Sequence, residues 1–330
     1  MLQKINIQNW NLENGKTIEN IPIFYQTFGQ SLGTSPVVLV NHALTGNSNV
    51  VGDNGWWNDL IGDNKIIDTN YFTVLSINIP GNGFDKNPEN LMENYKDFTI
   101  RDIATIYWKT VFELNIQELF AVIGGSLGGA IAWEMAVLQP NKILNLIPIA
   151  TDYKATDWMI ANVFLQDNIL NHSKNPIEDA RIHAMLLYRT PQSINQRFNR
   201  KQGKNQTFEI ENWLTNHGEK LKNRFTLLAY KLMNHLLKTN DITRNRDSFE
   251  AISATIQSNI HIISVDSDLF FTPDENIKTF NELKKAKQNV YYHEIDSIHG
   301  HDAFLIEFEQ LSNILNPIFN KSKTLNHVSN

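Results

Sequence analysis

The residues best placed to do chemistry in this chain are Gly124-Gly125-Ser126-Leu127-Gly128. Before them, the apolar run Leu119-Phe120-Ala121-Val122-Ile123 reads as a short core strand. After them, Gly129-Ala130-Ile131-Ala132-Trp133-Glu134-Met135-Ala136 has the composition of a helix, which Pro140 stops. So sharp a turn from strand to helix forces one residue into strained backbone angles. Glycines two positions either side of the serine let neighbouring segments come close. Such a turn lifts a serine hydroxyl above a sheet, where it attacks an acyl carbon once a base removes its proton.

The base must be an imidazole, and a carboxylate must hold that imidazole in the right tautomer. Both follow later in the chain, in the order nucleophile, acid, base. Ile260-His261-Ile262-Ile263-Ser264-Val265 is a β-type run ending in Asp266-Ser267-Asp268. Asn289-Val290-Tyr291-Tyr292-His293-Glu294-Ile295 reads as another strand, followed by Asp296-Ser297-Ile298-His299-Gly300-His301-Asp302. Spacing alone does not separate Asp266 from Asp268, or His299 from His301. Earlier, Pro36-Val37-Val38-Leu39-Val40 leads into Asn41-His42-Ala43-Leu44-Thr45-Gly46. The backbone N–H groups of Leu44 and Leu127 are then the expected oxyanion donors, and His42 reads as a residue that packs the loop. The whole arrangement predicts an α/β-hydrolase fold, with a mostly parallel sheet flanked by helices.

The elements around these residues fit that fold. Strand-type runs at 21–28, 37–40, 72–77, 119–123 and 144–149 alternate with helical stretches. From residue 151 to about 246 the β-type runs disappear, and 158–165, 179–188 and 225–237 read as amphipathic helices. Strands resume at residue 260. The expected organisation is a core of residues 1–150 and 247–330 with a helical lid, 151–246, inserted into it. A chain of 330 residues can bury such a core. The net charge of -6 gives no reason to expect nucleic acid as a partner. With no cysteine there are no disulfides, thiol nucleophiles or thiolate metal sites. No run of about eighteen apolar residues predicts a membrane span. The start, Met1-Leu2-Gln3-Lys4-Ile5-Asn6, lacks the apolar stretch of a signal peptide, which favours the cytoplasm. The ten histidines show no zinc-binding pair, so no metal site is expected. Trp56 and Trp57 read as packing residues, and Arg197, Arg200, Lys201 and Lys204 as a solvated basic surface.

At this level of detail the chain resembles the homoserine O-acetyltransferase family. The resemblance rests on His42-Ala43-Leu44-Thr45-Gly46, Gly55-Trp56-Trp57-Asn58-Asp59-Leu60-Ile61-Gly62 and Asp68-Thr69-Asn70-Tyr71-Phe72. It continues through Thr99-Ile100-Arg101-Asp102, the Ser126 turn, Ser267-Asp268-Leu269-Phe270 and Gly300-His301-Asp302-Ala303-Phe304. The matches keep the family's order from about residue 15 to residue 304. The resemblance implies Ser126, Asp268 and His301 as the catalytic triad. It also implies a lid helix on which Arg181 and Tyr188 face the homoserine site, with Asp302 beside them. Seven residues is about two helical turns, so Arg181 and Tyr188 share a face. Arg181 would fork onto the substrate carboxylate, and Asp302 would receive its ammonium group. Without the resemblance, Arg181 reads as a solvated helix charge.

The implied reaction takes an acyl group, most simply acetyl, from acetyl-CoA as co-substrate to L-homoserine. No bound cofactor is needed, the partners are small molecules, and a homodimer with lid helices at its interface is expected. Succinyl as donor group and serine as acceptor remain alternatives, as does an esterase on the same fold. A non-catalytic binding protein is the reading from another class. The chain departs from the family in three places. Asn78-Ile79-Pro80-Gly81-Asn82-Gly83-Phe84 replaces a Gly-Gly-Cys-x-Gly-Ser-Thr-Gly-Pro loop. The stretch between Asp152 and Ala180 is short, and Asn47 stands where many relatives carry aspartate.

Overall fold

Two antiparallel strands begin the main sheet and parallel strands complete it. The computed structural model describes residues 1–203 and 206–326, with backbone alone after residue 320. Its strands are β1 (Gln3–Asn11), β2 (Thr17–Gly29), β3 (Val37–Asn41), β4 (Ile61–Gly62), β5 (Ile67–Asp68), β6 (Thr73–Ile77), β7 (Leu119–Gly125), β8 (Ile143–Ile149), β9 (Asn259–Val265) and β10 (Val290–Ile295). Among the described residues the sheet has eight strands in the order β1-β2-β6-β3-β7-β8-β9-β10, and β4 and β5 form a separate ribbon. β1 and β2 are antiparallel to their neighbours, whereas every pairing from β6 to β10 is parallel. The fold class is that expected from the sequence.

Burial explains which strands the sequence reveals. β3 (VVLVN) and β6 (TVLSI) are buried at every residue. A parallel strand covered on both faces reads as such an unbroken apolar run. β1 is an edge strand with mostly exposed residues, so its pattern is weak and the sequence reading passes over it.

Helices cover both faces. α1 (Ile100–Glu113) and α2 (Leu127–Leu138) belong to the first half, α9 (Pro273–Ala286) joins β9 to β10, and α10 (Phe308–Asn326) ends the described chain. Between β8 and β9 lie α3 (Asp157–His172), α4 (Pro176–Tyr188), α5 (Pro191–Phe198), α6 (Glu209–Lys222), α7 (Leu227–Lys238) and α8 (Phe249–Thr255). The expected helices at 158–165, 179–188 and 225–237 fall in or against α3, α4 and α7. The sequence reading passes over α5 and α6: α5 has eight residues, and α6 is polar overall and buries only Gly218 and Leu221, although Ile210, Trp213, Leu214 and Leu221 recur at helical spacing along it.

The helical stretch leaves and rejoins the core at one place. Ala155 N–H donates to Asn240 O at 2.7 Å, and Ile242 N–H to Tyr153 O at 3.2 Å. Asn240 Nδ2 donates to Asp152 O at 2.8 Å. Charge locks the neighbouring corner. Glu134 of α2, which is buried, accepts from Arg101 Nε at 2.9 Å and from Arg246 Nη2 at 2.5 Å. Arg101 also reaches Glu13 Oε1 at 2.8 Å and Arg244 O at 2.8 Å. A buried carboxylate is tolerated when it is paired in this way.

Asp152, at the foot of the helical stretch, is buried, and its Oδ1 accepts from Tyr153 N–H and Thr279 Oγ1 at 2.7 Å each. Burial pushes its carboxyl pKa up to about 7, against the hydrogen bonds that pull it down. The folded chain therefore holds a proton that the unfolded chain, near 3.8, has released. Stability from this group is present at acid pH and is lost as pH rises through about 7. Asp152→Asn keeps the Oδ1 acceptor and removes the charge. We expect a higher Tm than the parent at pH 8 and a gap that closes near pH 4, measured by thermal unfolding. An equal loss of Tm at both pH values would show that the carboxyl is not held neutral.

Candidate active site

Ser126 sits between β7 and α2 with φ 56° and ψ -124°. A serine in the left-handed region carries strain of about 1–3 kcal/mol, which the surroundings must hold in place. They do so through the backbone. Ser126 N–H donates to Ile149 O at 2.9 Å, and Ser126 O accepts from Gly129 and Ala130 N–H at 2.9 and 3.1 Å. Gly128 is glycine because a Cβ there would overlap the Asn41 carbonyl. Asn41 Nδ2 in turn donates to Gly128 O at 3.2 Å, so the end of β3 rests directly on the first turn of α2.

Of the two pairs left open by spacing, the hydrogen-bonded one is Asp268 and His301. His301 Nδ1 lies 2.7 Å from Asp268 Oδ2, and their side chains are 4% and 0% exposed. Asp268 Oδ1 accepts from Phe270 N–H at 2.7 Å and Phe271 N–H at 2.9 Å. Every acceptor of the carboxylate is thereby aimed. Asp266 instead accepts from Ser297 N–H at 3.0 Å, and His299 Nδ1 lies 2.9 Å from both Arg189 Nη2 and Ser193 Oγ. Ser267 explains its place between the two aspartates: its hydroxyl donates to Ser297 O and accepts from Gly300 N–H at 3.1 Å. That contact ties the turn after β9 to the short 3-10 turn Gly300–Leu305 that carries His301.

Aromatic rings surround the imidazole. Tyr188, Phe270, Phe271 and Phe304 have centroids 5.2–5.6 Å from that of His301. The Phe304 ring also occupies the space that a Cβ on Gly125 would take, so it links His301 to the Ser126 turn. Among the described residues the Ser126 hydroxyl makes no hydrogen bond to His301; such contacts often tighten only around a substrate.

Leu44 lies in the turn closed by Gly46 N–H to Ala43 O at 2.9 Å. Among the described residues the N–H groups of Leu44 and Leu127 donate to no other protein group. Arg181 and Tyr188 share a face of α4, with the guanidinium carbon 5.5 Å from the Tyr188 ring centroid. Burial raises the pKa of Asp302 most, and the positive charges of Arg181, His301 and Arg189 oppose it. Burial raises Tyr188 far above the ordinary tyrosine range, so its hydroxyl stays protonated.

Two arginines at this site escaped the sequence reading. Arg189 is buried with its Nη2 on Ser193 Oγ and against His299 Nδ1, and Arg224 reaches across from the turn before α7 to Thr45. Neither lies in a pattern with a chemical signature; only the folded chain brings them here. His42 is held by Ala43 O at 2.8 Å and Ile79 N–H at 3.0 Å, a packing role that suits its reading. Trp57 is fully buried, and Trp56 Nε1 donates to Asn47 O at 2.9 Å. Arg197 lies over Phe198 and Trp213 and Arg200 over Phe208, while Lys204 is outside the described residues. Among the described residues no group of three or more His, Asp or Glu side chains could hold a metal ion, and no helix is long and apolar enough to cross a membrane.

A family model described as the alpha/beta hydrolase fold matches residues 36–307. Within that class, relatives carry more specific names. A homoserine O-acetyltransferase of Cyclobacterium marinum is 33% identical over 93% of this chain and 92% of its own length. The crystal structure of homoserine O-acetyltransferase from Bacillus anthracis superposes with a TM-score of 0.86 at 22% identity, covering 97% of each chain. That of an acetylester hydrolase from Corynebacterium glutamicum gives 0.82 at 19% identity, over 97% of this chain and 96% of that one. The chain belongs to the homoserine O-acetyltransferase family.

The contact between Asn41 and Gly128 makes a direct prediction. Gly128→Ala must push the end of β3 away from α2, since the obstacle is backbone and cannot rotate aside. We expect a loss of about 1–3 kcal/mol in denaturant unfolding, and a parent-like stability would show that the two segments are not held this closely.

Proposed function

We propose that this chain transfers an acetyl group from acetyl-CoA to the hydroxyl of L-homoserine through an acyl-enzyme on Ser126. His301, oriented by Asp268, takes the Ser126 proton as the oxygen attacks the thioester carbon. The N–H groups of Leu44 and Leu127 stabilise the oxyanion. The intermediate collapses with loss of the thiol, which recovers the proton from His301, and the acetyl group stays on Ser126. The homoserine hydroxyl then gives its proton to His301 and attacks the ester; as this intermediate collapses, His301 returns the proton to the Ser126 oxygen, releasing O-acetylhomoserine and free Ser126.

The observation that carries this reading is the charge pattern beside the hydrogen-bonded Asp268–His301 pair. Arg181 and Asp302 supply a cation for the α-carboxylate and an anion for the ammonium group, with Tyr188 between Arg181 and the His301 ring. An esterase has no use for an amino-acid clamp. We take residues 1–150 and 247–330 as the core and 151–246 as a lid over it, and place the reaction in the cytoplasm, where CoA thioesters are drawn on.

We further propose a homodimer through the lid. α3 leaves Trp158 and Phe164 51% and 70% exposed, and Leu186 of α4 is also exposed. A helix that is apolar on its outer side as well as its inner one suits burial against a second copy. Phe164→Glu is expected to shift the mass seen by sedimentation velocity from dimer to monomer, and a monomeric parent would remove the proposal.

The reaction is tested by thiol release from acetyl-CoA with and without L-homoserine, with succinyl-CoA and L-serine alongside. Homoserine-dependent release with O-acetylhomoserine as product is the expected result. Release indifferent to any acceptor would favour an esterase, a reading that the shared fold of an acetylester hydrolase keeps open. Asp268→Asn is expected to lower turnover by about 10⁴-fold with the fold intact, because the imidazole would then sit in the wrong tautomer.

A further inference from the structure

The turn that carries Leu44 is gripped from two sides. From the core, Ala43 O accepts from His42 Nδ1 at 2.8 Å and from Gly46 N–H at 2.9 Å. Ala43 C=O belongs to the same peptide unit as Leu44 N–H, so these bonds fix the plane in which that N–H points. The tautomer follows from the partners: Ile79 N–H can only donate, so His42 Nε2 accepts from it at 3.0 Å and Nδ1 carries the proton. Burial keeps this imidazole neutral, lowering its pKa to about 4.

From the lid, Arg224 holds the next carbonyl but one. It lies between α6 and α7, and its Nη1 donates to Thr45 O at 2.6 Å, with Nη2 3.4 Å from Thr45 Oγ1. Among the described residues Arg224 has no carboxylate partner, and the Arg181 charge is close enough to be felt at its guanidinium. An arginine with a main-chain carbonyl as its partner and no carboxylate is fixing a backbone position. We propose that Arg224 is a positioning residue that straps the lid to the Ala43–Gly46 turn and so sets the Leu44 N–H for the oxyanion. The inference rests on the reading of Leu44 as an oxyanion donor.

The strap acts on acylation and is blind to the acyl donor. Arg224→Ala and Arg224→Lys in the full chain should be compared with the parent on acetyl-CoA and on p-nitrophenyl acetate, which carries no phosphate. The alanine variant is expected to acylate about tenfold more slowly with both, less than the hundredfold or more of a lost donor. The KM for homoserine is expected to move less than about twofold, and lysine, which retains one N–H donor to the carbonyl, to recover most of the rate. Should the alanine variant fail to fold, Arg224→Lys and Arg224→Gln carry the same comparison. A loss with acetyl-CoA alone would overturn the proposal and make Arg224 a contact for the phosphates of CoA. A raised homoserine KM with unchanged acylation, or acylation at the parent rate with both donors, would also overturn it. If the parent fails to use homoserine, the transferase reading fails, while the p-nitrophenyl acetate arm still tests the strap. A parent that acylates with neither donor overturns both.

Discussion

A carboxylate with no exposed side-chain surface, hydrogen-bonded to a nearly as buried imidazole, is the constraint on which the site depends. Leaving one buried polar atom without a partner costs about 1–3 kcal/mol, so each oxygen of Asp268 must be met. Two consecutive N–H groups, of Phe270 and Phe271, meet one oxygen, and His301 meets the other. That demand fixes the turn after β9. Ser267 passes the constraint to the segment after β10, through Ser297 O and Gly300 N–H. Phe304, four residues from Gly300, passes it to the Ser126 turn by filling the space beside Gly125. Three segments far apart in sequence are positioned by one buried pair and its neighbours.

The opposite wall is built from neutral polar groups. The segment 78–84, one of the three places where the resemblance breaks, is stitched rather than loose. Asn78 Oδ1 accepts from Ser48 N–H at 2.9 Å and Asn82 Nδ2 at 3.0 Å, and Asn78 Nδ2 reaches Ser48 Oγ at 2.8 Å. Ile79 N–H holds His42, whose other nitrogen fixes the Leu44 peptide. A closed network of this kind is rigid because any broken member leaves a buried group unpaired. The departure in sequence thus keeps a mechanical connection to the Leu44 turn.

The fold was legible where burial leaves a pattern. Strands covered on both faces show as apolar runs, and the serine turn shows as glycines bracketing a serine between a strand and a helix. The edge strand β1 leaves no such trace, and the few apolar residues of α5 and α6, though helically spaced, leave only a weak one. The choice of Asp268 over Asp266 and of His301 over His299 could not be read from spacing, because each pair lies within one turn and only the fold decides which side chain points inward. The resemblance named both and also marked Thr99-Ile100-Arg101-Asp102, but not what that segment does. Thr99 and Asp102 form the capping box of α1, and Arg101 pairs with buried Glu134. Its role is to hold a corner of the core. Arg224 and Thr45 are 179 residues apart and lie in no common pattern, so their contact had no signal in the sequence at all.

The central claim is a covalent acetyl group on Ser126 that homoserine removes. The most direct measurement is mass spectrometry of the protein quenched after mixing with acetyl-CoA alone, followed by digestion to locate the modification. The account predicts one acetyl group per chain on the peptide containing Ser126, lost on addition of L-homoserine as O-acetylhomoserine appears. Acetyl transfer to homoserine that proceeds at the parent rate in Ser126→Ala, or with no acetylated serine at any time, would contradict it.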